Sequence, residues 1–265
     1  MAALRAAAAG PLPLSVPTTI GSVGDDPVPD TATLLLAHLT GAPADPALID
    51  LGVRARAAMR AAVATGGQHT PMELVYAEIE DILVPSAPFV QDLLARGWTT
   101  SQIAGEVVTL TFAGWASLAA VCRSARTLGV GGRDVTASDV TELLRVAPPG
   151  WLITRESVEP LRLAGRPAPI AAGTLLVMSP WLLHRDPTSW TRPTEFDPTR
   201  SGTLQHPGYL PFGAGSRGCP AERYSRTVLH ELLTLQPATR LSTQPVPSLT
   251  DDRSTCLVAQ EGQSV

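Results

Sequence analysis

The segment LPFGAGSRGCPAER (residues 210–223) places three glycines, an arginine and a cysteine in one short loop. Glycine adopts backbone conformations that other residues avoid, so the spacing predicts a tight turn that leads to Cys219. The apolar-periodic run at 219–235 predicts a helix that begins at this cysteine. A helix N-terminus, backbone amides and the neighbouring Arg217 all favour an anionic sulfur. The segment therefore predicts a cysteine held as a thiolate.

A thiolate binds metal, whereas a thiol does not. One soft thiolate beside a flat apolar side chain, Phe212, suits the axial position of a haem iron. The alternative is a structural cysteine in a glycine-rich turn, which is the usual role of a lone cysteine. The full pattern F-G-x-G-x-R-x-C favours the metal ligand, because these five spaced residues match by chance with a probability on the order of 10⁻⁵.

Composition limits the other classes of function. The chain has 265 residues, 44% hydrophobic content and a net charge of −4, which gives no support for nucleic-acid binding. Three cysteines suit neither a disulfide framework nor a zinc site, so we expect a cytoplasmic location. The longest apolar runs are too short to predict a membrane span. Lysine is absent from the sequence, which excludes a Schiff-base lysine.

Hydrophobic periodicity predicts a mainly α fold with a small β region. Helices are predicted at residues 31–39, 46–64, 72–84, 99–128, 136–150 and 219–235, and residues 1–30 are predicted to be irregular. Short β-rich runs follow Pro149, at 151–156, 161–165 and 174–181, and a final hairpin is predicted at 245–260. The longest helix is apolar nearly all round and should be buried, with Thr100 or Ser101 as its N-cap.

The glycine-rich loop resembles the haem-binding signature of the cytochrome P-450 family, and other stretches agree in the expected order. Glu142 and Arg145 in ELLR resemble the family's E-x-x-R, and RPTEFDPTR (192–200) resembles its later arginine motif. The resemblance implies a structural Glu–Arg–Arg cluster that Arg200 completes. It also gives His184, in the sequence HRDP, a structural place. The fold implied is a truncated cytochrome P-450-like fold.

The resemblance also implies a cofactor site for haem b. Cys219 would ligate the iron, and Phe212 and Gly213 belong to the same cofactor-binding loop. Arg155 and Arg217 match positions that bind the haem propionates in the family. A guanidinium can meet a carboxylate through two parallel hydrogen bonds, which is the physical reason for arginine there.

Two departures from the family bear on activity. The family's central helix usually carries [A/G]-G-x-[D/E]-T, whereas this chain has AGWAS at 113–117. Ala116 replaces the acid, and Ser117, our weak catalytic candidate, replaces the threonine. General acid–base help is worth roughly 10²- to 10⁴-fold, so we expect impaired hydroxylation. The resemblance is dense only from residue 85, which implies a single-domain, N-terminally shortened member with a divergent helical part at 1–84 and a haem-binding core at 85–265.

The implied function is a monooxygenase of secondary metabolism that oxidises a small apolar metabolite with dioxygen. Its electrons would come from a separate ferredoxin or flavoprotein. The missing acid favours a second hypothesis, a haem enzyme for a non-oxidative cyclisation or dehydration. A third is a non-catalytic auxiliary partner, with another enzyme chain covering the haem. A fourth is a decayed fragment that does not fold stably by itself.

Overall fold

The computed structural model describes most of the chain in seven stretches: residues 27–43, 46–64, 70–150, 152–200, 202–235, 244–247 and 255–258. The prediction of irregular structure for 1–26 lies outside these residues, while 27–30 are helical. Contacts divide the chain into two compact units, Met1–Val140 with Pro220–Val265, and Thr141–Cys219. This division does not test the predicted boundary at residue 84, which stays a prediction.

The described elements follow the predicted order of helices, short strands, helix and hairpin. They are α1 Pro27–Thr40, α2 Pro46–Ala64, α3 Thr70–Asp81, α4 Pro88–Ala95, α5 Thr100–Leu128, α6 Ala137–Val146, β1 Ile153–Glu156, β2 Leu175–Met178, α7 Pro180–Leu183, α8 Glu222–Leu235, β3 Gln244–Pro247 and β4 Thr255–Val258. The mainly α fold with a small β region is confirmed.

The first unit is built around α5. Side chains from α1, α3 and α4 pack with the first half of α5 in an apolar core that includes Leu36, Ile79, Leu93, Ile103 and Val107. The second half of α5 lies against α8, whose apolar face is buried. Burial on most sides explains why the α5 sequence is apolar nearly all round.

The ends of α5 are fixed by local chemistry. Thr99 is its N-cap, because the Thr99 hydroxyl accepts from the Gln102 amide at 3.2 Å and the Gln102 side chain accepts from the Thr99 amide at 2.9 Å. The predicted cap at Thr100 or Ser101 was one or two residues late. Gly129 ends the helix with φ of 73°, a conformation that glycine adopts without strain.

Two helices differ from prediction for clear local reasons. Helix α4 was not predicted; it has eight residues, begins at Pro88 and buries Phe89, Val90 and Leu93 on one face. The helix predicted over 136–150 ends at Val146, just before a double proline that cannot continue it.

The length and composition of α5 would allow it to cross a membrane, unlike any other helix among the described residues. Just over half of its apolar window is buried inside the protein, however, and a core helix meets the same criteria. The count of consecutive apolar residues therefore understated how long and apolar α5 is. The absence of a membrane span stays a prediction.

The second unit carries the small β region. Strands β1 and β2 pair antiparallel, with Ile153 opposite Met178 and Arg155 opposite Leu176. Beyond them the predicted strand at 161–165 is reduced to one bridge, between Leu161 and Ile170. In the first unit, β3 and β4 pair antiparallel, so the predicted final hairpin is confirmed within the described residues.

Thr99→Ala should lower the free energy of unfolding by about 1 kcal/mol, because it leaves the Gln102 amide without its cap. Urea denaturation measures the change, and Ser101→Ala, an exposed hydroxyl two residues later, is the matched control. Equal losses in the two variants would show that the capping box contributes nothing specific.

Candidate functional site

A buried ion pair organises the second unit. The side chain of Arg145 is wholly buried, and that of Glu142 is 2% exposed. Both lie on α6, three residues apart, and they form a two-pronged contact: Nε of Arg145 donates to Oε2 of Glu142 at 2.9 Å, and Nη2 donates to Oε1 at 2.7 Å. Such planar pairs are among the strongest hydrogen bonds in proteins.

The remaining donors of Arg145 bind backbone carbonyls. Nη1 donates to the carbonyls of His184 and Pro193 at 2.8 and 2.7 Å, and Nη2 donates to that of Glu195 at 2.9 Å. All five N–H groups of the guanidinium are therefore used. A buried charge is tolerated only when it is paired and fully hydrogen-bonded, and Arg145 meets that condition.

Arg200 joins the same carboxylate. Its Nε donates to Oε1 of Glu142 at 3.3 Å, and its Nη1 donates to the Thr191 carbonyl at 2.5 Å. The Asp197 amide also donates to Oε1 of Glu142, at 3.1 Å. The structure thus brings Glu142, Arg145 and Arg200 together and fixes the 191–200 segment to α6.

Arg145→Met should lower the free energy of unfolding by about 3–5 kcal/mol, because the Glu142 carboxylate and three carbonyls lose their buried partner. Arg192→Met is the matched control. Arg192 also contacts two carboxylates, Glu195 and Asp197, but its side chain is 59% exposed, so its loss should cost at most about 1 kcal/mol. Chemical denaturation of both variants makes the comparison, and similar losses would contradict the role given to burial.

His184 links α6 to the loop that precedes Cys219. The residue is wholly buried. Its Nδ1 lies 2.9 Å from the Arg145 carbonyl oxygen, and its Nε2 accepts from the Leu210 amide at 2.8 Å. Burial lowers the pKa of His184 to about 4, and the charges of Arg145 and Arg185 act in the same direction. His184 is therefore neutral at physiological pH.

This lowered pKa makes stability depend on pH. The folded pKa of about 4 lies below the ordinary histidine pKa of 6.5, so between these values only the unfolded chain binds the proton. The contribution of His184 is fully present above pH 6.5, is lost as the pH falls from 6.5 through 4, and amounts to roughly 3 kcal/mol.

His184→Gln removes this titration. The difference in unfolding free energy between the wild type and His184→Gln should therefore shrink on acidification from pH 7 to pH 4. Denaturant unfolding at a series of pH values gives the two curves. Parallel curves over that interval would contradict the lowered pKa.

The loop around Cys219 forms the tight turn that its glycines predict. Gly213 and Gly215 have φ of 71° and 65°, which glycine adopts without strain. The Gly218 amide donates to the Gly215 carbonyl at 3.1 Å, and the Cys219 amide donates to the Phe212 carbonyl at 2.8 Å. Cys219 itself is exposed.

Two local details of the prediction were wrong. Helix α8 begins at Glu222, three residues after Cys219, so the cysteine precedes the helix instead of opening it. The amides of Gly218 and Cys219 donate to carbonyls of the loop, so neither is directed at the sulfur as expected. The reason is geometric, because the turn needs these two hydrogen bonds to close.

Strand β1 lies beside this loop. A Cβ built on Gly213 would sit 3.9 Å from the Ile153 side chain. Arg155 is two residues further along β1 and so shares the face of the strand that carries Ile153. Arg155 is exposed, and its Nη1 donates to the Thr154 carbonyl at 2.7 Å. Arg217 is also exposed.

The predicted residues divide between the two units. Arg155, Phe212, Gly213, Arg217 and Cys219 all belong to the second unit, together with the cluster around Glu142. Ser117 belongs to the first unit, on α5, where its hydroxyl donates to the Ala113 carbonyl at 3.2 Å. Within the described residues, no group of histidine, cysteine, aspartate and glutamate side chains offers a multi-ligand metal site.

Comparisons with known proteins agree with this geometry. The family described as Cytochrome P450 matches residues 134–235, which contain the Glu142 cluster, β1, β2 and the Cys219 loop. This region of the chain belongs to the cytochrome P450 family. The family carries haem, so the match implies a haem cofactor.

Curated relatives match about a third of this chain. Cyclooctatin synthase of Streptomyces melanosporofaciens is 39% identical over 113 residues, which is 37% of this chain and 24% of the relative. Protopine 6-monooxygenase of Papaver somniferum is 37% identical over 102 residues (36% and 18%), and thromboxane-A synthase of Sus scrofa is 42% identical over 85 residues (30% and 16%). The matches thus span about a quarter or less of the length of these relatives.

Solved structures support the fold. A crystal structure of P450BioI in complex with an acyl carrier protein superposes with a TM-score of 0.64 at 19% identity, over 88% of this chain and 71% of that chain. CYP105D6 gives a TM-score of 0.60 at 21% identity, over 78% and 55%. The P450-like fold is therefore confirmed.

The residues present fit the ligation of a haem. Cys219 supplies a soft sulfur donor on an exposed side chain, which is the donor type that cytochromes P450 use. Two left-handed glycines hold the turn that presents it. The hydrogen bonds of His184 to this region were not predicted. Their only signal was the HRDP sequence, which does not reveal the partners of the ring.

Proposed function

We propose that this cytochrome P450 holds haem b through Cys219 and oxidises a small apolar metabolite with dioxygen as a monooxygenase. One observation carries the proposal: an exposed cysteine ends a glycine turn in the family-matching region, in the same unit as the buried Glu142–Arg145 pair. The named relatives include a monooxygenase of plant metabolism, which supports the reaction class and a role in secondary metabolism.

The chain's own residues have distinct roles in this proposal. Cys219 would hold the haem iron through its thiolate, and haem held in this way would supply oxidative chemistry with dioxygen. Arg155 and Arg217 bind the propionates, because both are exposed and both belong to the unit that carries the cysteine. Arg155 exchanges its contact with the Thr154 carbonyl for a charged partner, which is the stronger hydrogen bond.

Ser117 is proposed as the proton donor that remains in the AGWAS segment (113–117) of α5. Its hydroxyl is bound to the Ala113 carbonyl at 3.2 Å, so it must rotate before it can donate elsewhere. Ala116 offers no carboxylate to assist it. This observation favours the second candidate function, a haem-dependent cyclisation or dehydration that needs no proton delivery to dioxygen.

A separate ferredoxin or flavoprotein is proposed as the electron donor for the oxidative reaction. The auxiliary-partner hypothesis, in which another enzyme chain covers the haem, remains the alternative without catalysis. The cytoplasmic location expected from cysteine usage stays a prediction.

The first test is the absorption spectrum of the haem-loaded protein, reduced and with carbon monoxide. Thiolate ligation predicts a Soret band at about 450 nm. Cys219→Ser should abolish this band, whereas Cys122→Ala, at the buried cysteine of α5, should retain it. A band that survives in Cys219→Ser would contradict the proposed ligand.

A second test separates the two enzymatic candidates. The haem-loaded protein is supplied with NADPH and surrogate redox partners, and oxygen uptake is measured over a panel of small apolar compounds. A monooxygenase should take up oxygen in a substrate-dependent way, and Ser117→Ala should reduce the rate of this uptake by roughly tenfold or more. Complete absence of uptake, with the thiolate band intact, would favour the non-oxidative enzyme.

A further inference from the structure

We infer that His184 is the positioning residue that fixes where the Cys219 loop begins; this inference rests on the proposed role of Cys219 as haem ligand. The ring bridges two backbone groups of the second unit. Nδ1 lies 2.9 Å from the Arg145 carbonyl oxygen and Nε2 lies 2.8 Å from the Leu210 amide nitrogen. A carbonyl only accepts and an amide only donates. Nδ1 therefore carries the hydrogen, and Nε2 presents a lone pair.

The bridge continues through the loop to the cysteine. The Leu210 carbonyl accepts from the Gly213 amide at 3.1 Å, and the Phe212 carbonyl accepts from the Cys219 amide at 2.8 Å. A continuous path of backbone hydrogen bonds thus runs from His184 to Cys219. The carbonyl that closes the first turn of this loop belongs to Leu210, so a displacement of Leu210 would also move this turn.

A second contact supports the same attachment. Tyr209 donates its hydroxyl to the Thr141 carbonyl at 3.0 Å, and its ring stacks on His184 with centroids 5.7 Å apart. Thr141 and Arg145 are four residues apart on α6, so their carbonyls lie one turn apart on one side of the helix. Consecutive residues at the start of the loop are therefore held to consecutive turns of α6.

The His184 ring contacts two backbone groups, and the roles of these two contacts must be distinguished. The Arg145 carbonyl is among the last four of α6, which lack partners within the helix, so the Nδ1 contact is a helix cap. A cap alone is a structural role. The Nε2 contact to Leu210 is the one that positions the loop, and the inference concerns this contact.

Two substitutions divide the functions of the ring. His184→Gln can place an amide oxygen near the site of Nε2, so it keeps an acceptor for the Leu210 amide and loses the helix cap. His184→Asn can place an amide nitrogen near the site of Nδ1, so it keeps the cap and leaves the Leu210 amide without an acceptor. The positioning role predicts that the glutamine variant preserves the loop and the asparagine variant does not.

The first measurement is the tautomer of His184 in the wild-type protein without cofactor, from ¹⁵N chemical shifts at pH 7. We expect a neutral ring that is protonated at Nδ1 and unprotonated at Nε2. A ring protonated at Nε2, in either the other neutral tautomer or the imidazolium, would overturn the inference, because Nε2 could not accept from Leu210.

The second measurement is hydrogen exchange of the Leu210 amide in the same cofactor-free state. His184→Asn should exchange roughly tenfold or more faster than His184→Gln, since a buried amide without an acceptor is released. The absorption spectrum of the haem-loaded, reduced protein with carbon monoxide gives a further comparison. A smaller fraction of His184→Asn than of His184→Gln should absorb near the wild-type band position. Equal behaviour of the two variants, or better behaviour of His184→Asn, would overturn the inference.

Failure of the positioning role can be distinguished from failure of the proposed function. The tautomer and the amide exchange need no haem, so they decide the positioning role even if the protein takes up none. Failure to bind haem with the expected tautomer and exchange would reject the proposed function alone. Should both variants fail to fold, the tautomer of the wild type still decides.

Discussion

The buried charge of Arg145 is the constraint on which the second unit depends. A guanidinium with no exposure is costly unless every donor is matched, and here one carboxylate and three carbonyls accept all five N–H groups. Those carbonyls belong to His184, Pro193 and Glu195, which lie far along the chain from α6. Satisfying one side chain therefore fixes three points of the chain within the following fifty residues.

The geometry of the Cys219 site depends on this requirement that every donor of Arg145 be hydrogen-bonded. His184 is held by Arg145 through its carbonyl, and its ring in turn holds the amide of Leu210. The glycine turn then carries the chain from Leu210 to Cys219 through two further backbone hydrogen bonds. An exposed cysteine would otherwise need many side-chain contacts to hold it in place. Here a rigid helix, a neutral histidine and a tight turn hold it through the backbone instead. This arrangement suits a ligand that must meet a cofactor at one position.

Sequence reasoning predicted most of this fold because its signals are local. The periodicity of α5, the double proline after α6 and the glycines before Cys219 each act within a few residues, and the structure places the corresponding elements there. The missed helix α4 is short, and the exact caps depend on side-chain competition that spacing does not resolve. The bonds of His184 could not be predicted, since Arg145 and Leu210 are 39 and 26 residues away. Family resemblance supplied the Glu–Arg–Arg cluster, which an isolated E-x-x-R does not specify.

The central claim is that the sulfur of Cys219 is bound to iron in the loaded protein. Iron K-edge X-ray absorption measures this most directly, because a sulfur neighbour scatters more strongly and lies further from the iron than nitrogen or oxygen does. The account predicts one sulfur in the first coordination shell of the wild-type protein, absent in Cys219→Ser. A first shell of nitrogen and oxygen alone in the wild type would contradict it.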